Sequence, residues 1–312
     1  MCTRTCFLFQ LQSIPADIKY FAMIKFIEIL PEPIELNSVS VVESFLNSFD
    51  TVLTDCDGVL WNESEPIQGS PEAINLLGRL GKKVVYVTNN SGHTRAGYVQ
   101  KCKDLGFDAD IQIKDIFTPA FVCAQYLKRI QFKEKVCLFG PLWKEEPPVE
   151  EFQQAGIAST WRESIEGLKE DKIGALVMMF GWKKMPPSEI SEARGYLKNQ
   201  NILFLNCADP KPNIQEHFER TPLQIGKPGE KMFESVCAAH DINPARTIMI
   251  GDTGKTDIIF GKTNCVRTLL VGSGSNTLDD VGQWIESGED CKVPDFYSPS
   301  LGALVPYLKE KS

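Results

Sequence analysis

The sequence has no basic run and no apolar stretch long enough to span a bilayer. Acidic residues outnumber basic ones, which gives a formal net charge of −8 and a pI near 5.1. This balance argues against a nucleic-acid partner or an acidic membrane surface, because both need a basic patch on the protein. It does not exclude small phosphates, which need only a local positive site.

Histidines are few, and the cysteines are scattered. Ten cysteines occur without a Cys-x-x-Cys pair, and only His93, His217 and His240 could add imidazole ligands. This pattern is unlike a disulfide framework or a zinc site, and it is typical of thiols that pack as small apolar groups in a reducing compartment. We therefore expect a cytoplasmic protein without a membrane partner.

The N-terminal residues lack a regular hydrophobic period. No acid precedes Asp17, but the segment is too poor in arginine and serine for an organelle-targeting peptide. We expect residues 1–40 to form an irregular N-terminal extension.

A short apolar run leads into two acids. Residues 51–54 (Thr-Val-Leu-Thr) predict a buried strand, and Asp55, Asp57 and Gly58 follow closely. Two interpretations are open at this point. Asp-Gly between apolar runs is typical of a hairpin, with Asp55 as a solvated turn acid. Alternatively, the two carboxylates lie at the carboxyl end of a strand, where open α/β sheets bind ligands.

The elements that follow favour the second interpretation. Strands and helices alternate with short connections, which is the pattern of a doubly wound parallel α/β sheet. The predicted elements are helix 71–80, strand 83–87, helix 94–105, strand 247–250, helix 255–262 and strand 266–271.

A second α/β unit interrupts this sheet. At 312 residues the chain exceeds the usual size of one domain, so a second domain or a large insertion is expected. New strands and helices begin near residue 131 and end near the proline-rich loop 209–212. The sequence therefore predicts a doubly wound core in 41–130 and 222–312, with a second α/β domain inserted in 131–221.

Four polar clusters lie at predicted strand ends or helix starts of the core: Asp55/Asp57, Thr88/Asn89/Asn90, Lys227 and Asp252/Asp257. Aspartate can attack phosphorus, but a carboxylate about 4 Å from each phosphate charge is opposed by roughly 4 kcal/mol at an effective dielectric near 20. A Mg²⁺ ion between carboxylate and phosphate oxygens, together with a lysine, removes that repulsion.

The acids supply the chemistry and the metal site. Asp55 is the predicted nucleophile, and Asp57 is the predicted general acid and base. Asp252 would complete the Mg²⁺ site with Asp55 and the Asp57 carbonyl, because an all-oxygen set suits a hard cation.

The other polar residues would hold the substrate. Thr88 and the nearby backbone N–H groups, at Asn89 and Asn90, are predicted to bind phosphoryl oxygens, and Lys227 is predicted to pair with the same oxygens. Asp257 is predicted to orient the metal site from outside the set of ligands.

The sequence resembles the haloacid-dehalogenase-like phosphatases over about residues 45–310. The motifs that carry the resemblance are Asp55-Cys56-Asp57-Gly58-Val59-Leu60-Trp61, Val87-Thr88-Asn89-Asn90-Ser91, Gly226-Lys227-Pro228, and Gly251-Asp252 with Thr256-Asp257-Ile258. It is most similar to the 4-nitrophenylphosphatase branch, which includes phosphoglycolate phosphatase and pyridoxal phosphate phosphatase (chronophin). The resemblance implies a Rossmann-like core, a large α/β cap between the second and third motifs, Mg²⁺ dependence and often a homodimer formed through the cap.

Departures from the family pattern concern the fourth motif and the cap. Thr253-Gly254-Lys255 replaces a bulkier, arginine-containing segment. The cap segment Asp209-Pro210-Lys211-Pro212 lacks the histidine of the pyridoxal phosphate branch, and the chain from there to Lys227 lacks a glycine-rich stretch. A nucleotide-binding P-loop is excluded at Gly254-Lys255-Thr256, because Met249 occupies the position of the required first glycine.

We therefore expect a Mg²⁺-dependent phosphomonoester hydrolase that acts through an aspartyl-phosphate intermediate. The expected substrate is a small metabolite phosphate such as 2-phosphoglycolate, and the alternative is pyridoxal phosphate or a phosphoprotein. A catalytically weak scaffold with a phosphatase fold is the non-enzyme alternative. It would be indicated by loss of Asp55, Asp57, Lys227 or Asp252, and all four are present.

Overall fold

The computed structural model describes residues 32–108, 110–139, 146–162, 172–179, 187–211 and 213–311. The strands are β1 Ile34–Glu35, β2 Thr51–Thr54, β3 Trp61–Asn62, β4 Glu65–Pro66, β5 Lys83–Val87, β6 Ile116–Phe117, β7 Lys135–Phe139, β8 Ser159–Arg162, β9 Ile173–Met178, β10 Leu203–Asn206, β11 Leu223–Gln224, β12 Thr247–Gly251, β13 Arg267–Val271 and β14 Phe296–Ser298. The α-helices are α1 Val39–Asn47, α2 Ser70–Arg79, α3 Arg95–Asp104, α4 Pro119–Arg129, α5 Glu146–Gln154, α6 Pro187–Leu197, α7 Ile214–Phe218, α8 Glu230–Ala239, α9 Ile259–Thr263, α10 Leu278–Ser287 and α11 Val305–Lys309. Within these ranges, no helix combines the length and the apolar character that crossing a membrane requires.

Seven of the described strands form the larger sheet, in the order β1-β14-β13-β12-β2-β5-β6, and all its pairings are parallel. Strand β2 lies between β12 and β5 and is buried along its whole length, as expected for a strand covered on both faces. The predicted doubly wound α/β core is confirmed. The hairpin interpretation of Asp55 is wrong, because β2 does not pair with the strand that follows it; β3 and β4 pair with each other instead.

Side chains of the larger sheet alternate between two hydrophobic clusters. Val52 and Ile248 belong to the cluster that includes residues of α1, α2 and α11. Leu53 and Met249 belong to the other cluster, which includes residues of α4 and α8 and continues into β7, β9 and β10. A shared apolar core therefore joins the larger sheet to β7, β9 and β10, which belong to the segment inserted between α4 and α8.

The inserted segment forms a smaller sheet of its own. Its described strands lie in the order β11-β10-β9-β7-β8, and all of them are parallel. The sequence analysis assigns residue 222 onward to the core, whereas Leu223 and Gln224 pair with β10. Two residues at a sheet edge are too few to show a hydrophobic period, so no local pattern predicts β11.

The described part of the N-terminal segment is more regular than the sequence predicts. Ile34–Glu35 form the edge strand β1 beside β14, and helix α1 begins at Val39. The expectation of an irregular extension is therefore wrong for these residues of the range 1–40. Residues 1–31 lie outside the described ranges.

Candidate active site

The two acids of the first motif are fixed at the end of β2. The Asp55 N–H donates to the Ile250 carbonyl at 2.8 Å, which extends the pairing of β2 with β12 by one residue. The Cys56 N–H donates to Oδ1 of Asp55 at 2.7 Å. Gly58 has a φ of +82°, and a Cβ atom there would lie 2.5 Å from Oδ2 of Asp252. Both the conformation and the close approach therefore require glycine.

Two hydrogen-bond donors hold the carboxyl group of Asp57. Trp61 donates from Nε1 to Oδ1 of Asp57 at 3.0 Å. Asn90 donates from Nδ2 to Oδ2 of Asp57 at 3.1 Å. Because each oxygen has its own donor, the orientation of this carboxyl group is set before any substrate binds.

Lys227 is buried between two carboxylates. Its side chain is 1% exposed, and its Nζ lies 2.8 Å from Oδ1 of Asp55 and 2.7 Å from Oδ1 of Asp257. Burial lowers the pKa of Lys227, but the charges of Asp257 and Asp55 outweigh it and keep the pKa above its usual value. Burial raises the pKa of both Asp55 and Asp257, and the lysine charge opposes that rise. Lys227 therefore stabilises the charge of each carboxylate, and the two carboxylates stabilise the charge of Lys227.

Asp252 is oriented by a loop that the sequence analysis missed. Its Oδ1 accepts a hydrogen bond from Oγ1 of Thr253 at 3.0 Å, and its Oδ2 accepts one from the Ser275 N–H at 2.6 Å. A Cβ atom at Gly274 would collide with the Asp252 carboxylate, so only glycine lets this loop approach. The available signal was Gly-Ser-Gly-Ser at 272–275, directly after a strand that was predicted to end at the same edge.

The departure in the fourth motif leaves its acids in place. Residues 254–258 form a π-helical turn. This turn brings Oδ2 of Asp257 within 3.2 Å of the Asp252 N–H and 3.0 Å of the Thr253 N–H, which both donate to it. Lys255 is exposed and does not line the site, in agreement with the exclusion of a P-loop.

The polar side chains of the second motif form hydrogen bonds with other groups of the protein. Thr88 Oγ1 accepts a hydrogen bond from the Asn90 N–H at 3.1 Å. Asn89 accepts from the Lys227 N–H at 2.7 Å and donates to the Lys227 carbonyl at 2.9 Å and to Oδ1 of Asp209 at 2.8 Å. The side chains of Asn89 and Asn90 thus hold other protein groups. Their contact with phosphate stays a prediction, and it would be made by their backbone N–H groups.

A cavity of about 340 Å³ opens at this edge of the sheet. The predicted site residues that line it are Asp55, Asp57, Thr88, Asn89, Asn90, Lys227 and Asp252, whereas Asp257 does not line it and contacts Lys227. Residues that the sequence analysis did not assign to the site also line it: Thr253, Thr256 and Ser275 from the core, and Met179, Ala208, Asp209 and Lys211 from the inserted segment.

The acids of this site fit a hard cation. One carboxylate oxygen each of Asp55, Asp252 and Asp257 lies within 4.8 Å of the others, which is close enough for one ion to contact several of them. Carboxylate oxygens are the ligands that Mg²⁺ and Ca²⁺ prefer. The carboxyl group of Asp57 is not part of this cluster, so any metal contact from Asp57 would come from its main chain.

Comparisons with known proteins agree with this geometry. The family model for haloacid dehalogenase-like hydrolases matches residues 52–158, and a HAD-hydrolase-like model matches residues 224–303. The glycerol-3-phosphate phosphatase of Gallus gallus is 32% identical over 303 residues, covering 85% of this chain and 94% of the relative. The chloroplastic phosphoglycolate phosphatase 1A of Arabidopsis thaliana is 29% identical over 308 residues, covering 88% and 81%.

Solved structures share the fold. The p-nitrophenyl phosphatase from Archaeoglobus fulgidus superposes with a TM-score of 0.68 at 21% identity, covering 83% of this chain and 99% of that chain. A glycerol phosphate phosphatase from Mycobacterium tuberculosis in complex with magnesium gives a TM-score of 0.64 at 20% identity, covering 83% and 77%. The order of the motifs, the parallel core and the identity to curated relatives all agree: the chain belongs to the haloacid dehalogenase-like hydrolase family and is a phosphatase.

Proposed function

We propose that this phosphatase is a Mg²⁺-dependent phosphomonoesterase that works through an aspartyl-phosphate intermediate. One observation carries the proposal: the buried Lys227 lies 2.8 Å from Asp55 and 2.7 Å from Asp257, beside a cavity lined by further carboxylates. A lysine held in this way can offset the negative charge of a phosphate group during phosphoryl transfer.

In the first step Asp55 attacks phosphorus. Its Oδ1 is engaged by the Cys56 N–H and by Lys227, so we assign the attack to Oδ2. A bond forms between this oxygen and phosphorus while the bond from phosphorus to the leaving oxygen breaks, and Asp57 gives that oxygen a proton. Lys227 and Thr88 hold the phosphoryl oxygens in place.

In the second step water hydrolyses the aspartyl-phosphate. Asp57 has become a carboxylate, and it takes a proton from the water that attacks phosphorus. The bond between phosphorus and Asp55 breaks, which releases inorganic phosphate and restores the nucleophile. The donors Trp61 and Asn90 keep the carboxyl group of Asp57 oriented throughout.

The carboxylates of Asp55 and Asp252, with the main-chain carbonyl of Asp57, would hold the Mg²⁺. When bound, the ion offsets the repulsion between the nucleophile and the phosphate. Ser275 and Thr253 orient the Asp252 carboxylate through their hydrogen bonds. The magnesium in the complex of the Mycobacterium tuberculosis phosphatase supports the choice of ion.

The substrate we propose is a small metabolite phosphate such as 2-phosphoglycolate. A cavity of about 340 Å³ suits a leaving group of a few atoms better than a phosphoprotein segment. The similarity to a phosphoglycolate phosphatase supports this choice. Glycerol 3-phosphate is the second candidate, because a relative of higher identity acts on it.

We further propose a cytoplasmic setting and a homodimer formed through the inserted segment. Cys56, Cys102, Cys123 and Cys207 are free thiols buried in the protein, which supports a reducing compartment. Among the described strands β8 is the outer strand of the smaller sheet, and we place the contact with a second copy there. Light scattering coupled to gel filtration would measure the mass in solution.

The test is phosphate release from 4-nitrophenyl phosphate and a panel of metabolite phosphates, with and without Mg²⁺. We expect release that depends on the metal and falls by at least about 10⁴-fold in Asp55→Asn, since this change removes the nucleophile and keeps its shape. Mass spectrometry of trapped wild-type protein should find phosphate on Asp55.

Lys255→Met is the matched control, because Lys255 is exposed near the fourth motif and does not line the cavity. It should keep wild-type rates. A folded, Mg²⁺-loaded wild type that releases phosphate from no ester would contradict the proposal and favour the scaffold alternative.

A further inference from the structure

The inserted segment contributes two charged side chains, one acidic and one basic, to the cavity. Asp209 and Lys211 line it beside the apolar Met179 and Ala208. The Asp209 carboxylate already accepts a hydrogen bond from Asn89 at 2.8 Å. Lys211 is half-buried, and none of the described carboxylates lies within ion-pair distance of it. Its positive charge is therefore available to a ligand.

The loop that carries Lys211 is braced. The side chain of Asn206 donates to the Ala208 carbonyl at 3.1 Å and accepts from the Ala208 N–H at 3.2 Å. Gln224 donates to the same carbonyl at 2.9 Å. In the sequence Lys211 has a proline on each side, which narrows the backbone conformations open to it. The backbone is thus held at Ala208, three residues before Lys211.

The two lysines that line the cavity differ in whether carboxylates neutralise their charges. Lys227 is 1% exposed and is matched by Asp55 and Asp257, so it serves the phosphoryl end. Lys211 comes from the inserted segment, and none of the described carboxylates matches its charge in this way. A phosphomonoester that carries an anion only on its phosphate would leave this second charge unused.

We propose that Lys211 binds a carboxylate on the leaving group, so that the enzyme selects phosphate esters of short hydroxy acids. The proposal rests on the proposed function and narrows its substrate class. A single ammonium group balances a monoanionic carboxylate, whereas a second phosphate would bring about two charges and need a further cation. The cavity of about 340 Å³ has room for the phosphate group together with a short acid.

The test compares kcat/KM for three esters that share a two-carbon leaving group: 2-phosphoglycolate, ethyl phosphate and phosphoethanolamine. The wild type should prefer 2-phosphoglycolate over ethyl phosphate by about 10- to 100-fold, the range expected for one charged contact. Lys211→Met should remove this preference and keep the rate on ethyl phosphate within about threefold. Lys211→Glu should move the preference towards phosphoethanolamine.

Two further variants serve as controls. Lys211→Arg retains the charge and should retain most of the preference. Lys198→Met removes an exposed lysine of the inserted segment that does not line the cavity, and it should behave as wild type. Melting temperatures show that each variant is folded.

The proposal is overturned if wild type shows no preference for the carboxylate, or if Lys211→Met lowers the rates on all three esters equally. An equal loss would assign Lys211 to the phosphoryl end or to folding. A wild type that hydrolyses none of the esters would instead contradict the proposed function, and it would remove the basis of this proposal as well.

Discussion

The cavity has two walls that are built by different means. The core wall consists of Asp55, Asp57, Lys227 and Asp252, and the cap wall consists of Met179, Ala208, Asp209 and Lys211. On the core wall opposite charges hold each other, as Lys227 does with Asp55 and with Asp257 behind it. On the cap wall neutral amides hold the backbone, as Asn206 and Gln224 do at Ala208.

Under the proposed mechanism, the core wall carries out the phosphoryl transfer and the cap wall selects the ester. Substitutions in a buried charged network cost stability, because removal of one member leaves another charge buried and unpaired. An amide-braced loop keeps its backbone when a side chain such as Lys211 is replaced, since the bracing bonds are made to Ala208 and not to the lysine. We therefore expect changes on the core wall to abolish turnover and changes on the cap wall to alter the choice of ester.

Lys227→Met should have the largest effect on stability. It leaves Asp55 and Asp257 buried without their cation, and breaking a buried pair in this way costs about 3–5 kcal/mol. The loss should be greatest near neutral pH and should shrink in acid, because the two carboxyl groups are then protonated in the folded variant. Urea denaturation in EDTA measures the free energy of unfolding without interference from a bound metal.

Two comparisons sharpen this result. Adding Asp257→Asn to Lys227→Met should recover part of the lost stability but none of the activity, because one buried charge is removed while the cation is still missing. Lys231→Met removes the partly exposed pair between Lys231 and Glu234 and should cost less than about 1 kcal/mol. Equal costs for the two lysines would show that the core wall is not held by charge.

The core wall could be predicted from the sequence because each of its acids follows a strand. In a parallel sheet the carboxyl ends of the strands meet at one edge, so Asp55 after β2 and Asp252 after β12 were expected there. The adjacency of β2 and β12 makes them neighbours. What the spacing could not show is that Asp257 pairs directly with Lys227. That contact depends on the π-helical turn at 254–258, for which the sequence carries no simple signal.

The cap wall could not be predicted in the same way. Met179 and Ala208 belong to no motif, and a lone lysine such as Lys211 is most often a solvated surface residue. Their places depend on contacts between distant residues, such as the bond from Asn89 to Asp209, which lie 120 positions apart. Such pairings follow from the folded structure and not from any local period.

Asn89 joins the two walls, and its replacement should have an intermediate effect. Asn89→Asp retains the oxygen that accepts from Lys227 but loses both donated bonds and places a charge beside Asp209. We expect a loss of about 2 kcal/mol in the free energy of unfolding. Both the rate on ethyl phosphate and the preference for 2-phosphoglycolate should fall, each by roughly tenfold.

Asn206→Asp is the matched variant for the cap wall alone. It removes the donor to the Ala208 carbonyl and retains the acceptor for the Ala208 N–H. The preference for 2-phosphoglycolate should fall, while the rate on ethyl phosphate stays within about threefold. If Asn89→Asp also changed only the preference, the two walls would not be coupled through Asn89.

Glu151→Gln should have the smallest effect on turnover. Glu151 on α5 is 4% exposed and accepts hydrogen bonds from Nε of Arg95, at the start of α3, at 3.1 and 3.3 Å. Arg95 is partly exposed, and its guanidinium also lies 3.7 Å from the centre of the Phe121 ring, so the variant does not leave its charge stranded. We expect a loss of about 1–2 kcal/mol, seen as faster hydrogen exchange in α5 than in β2. Neither residue lines the cavity, so kcat and ester preference should both stay at wild-type values. A change in ester preference without a loss of stability would contradict this expectation. It would show that the position of the cap wall relative to the core wall depends on α5 as well as on Asn89.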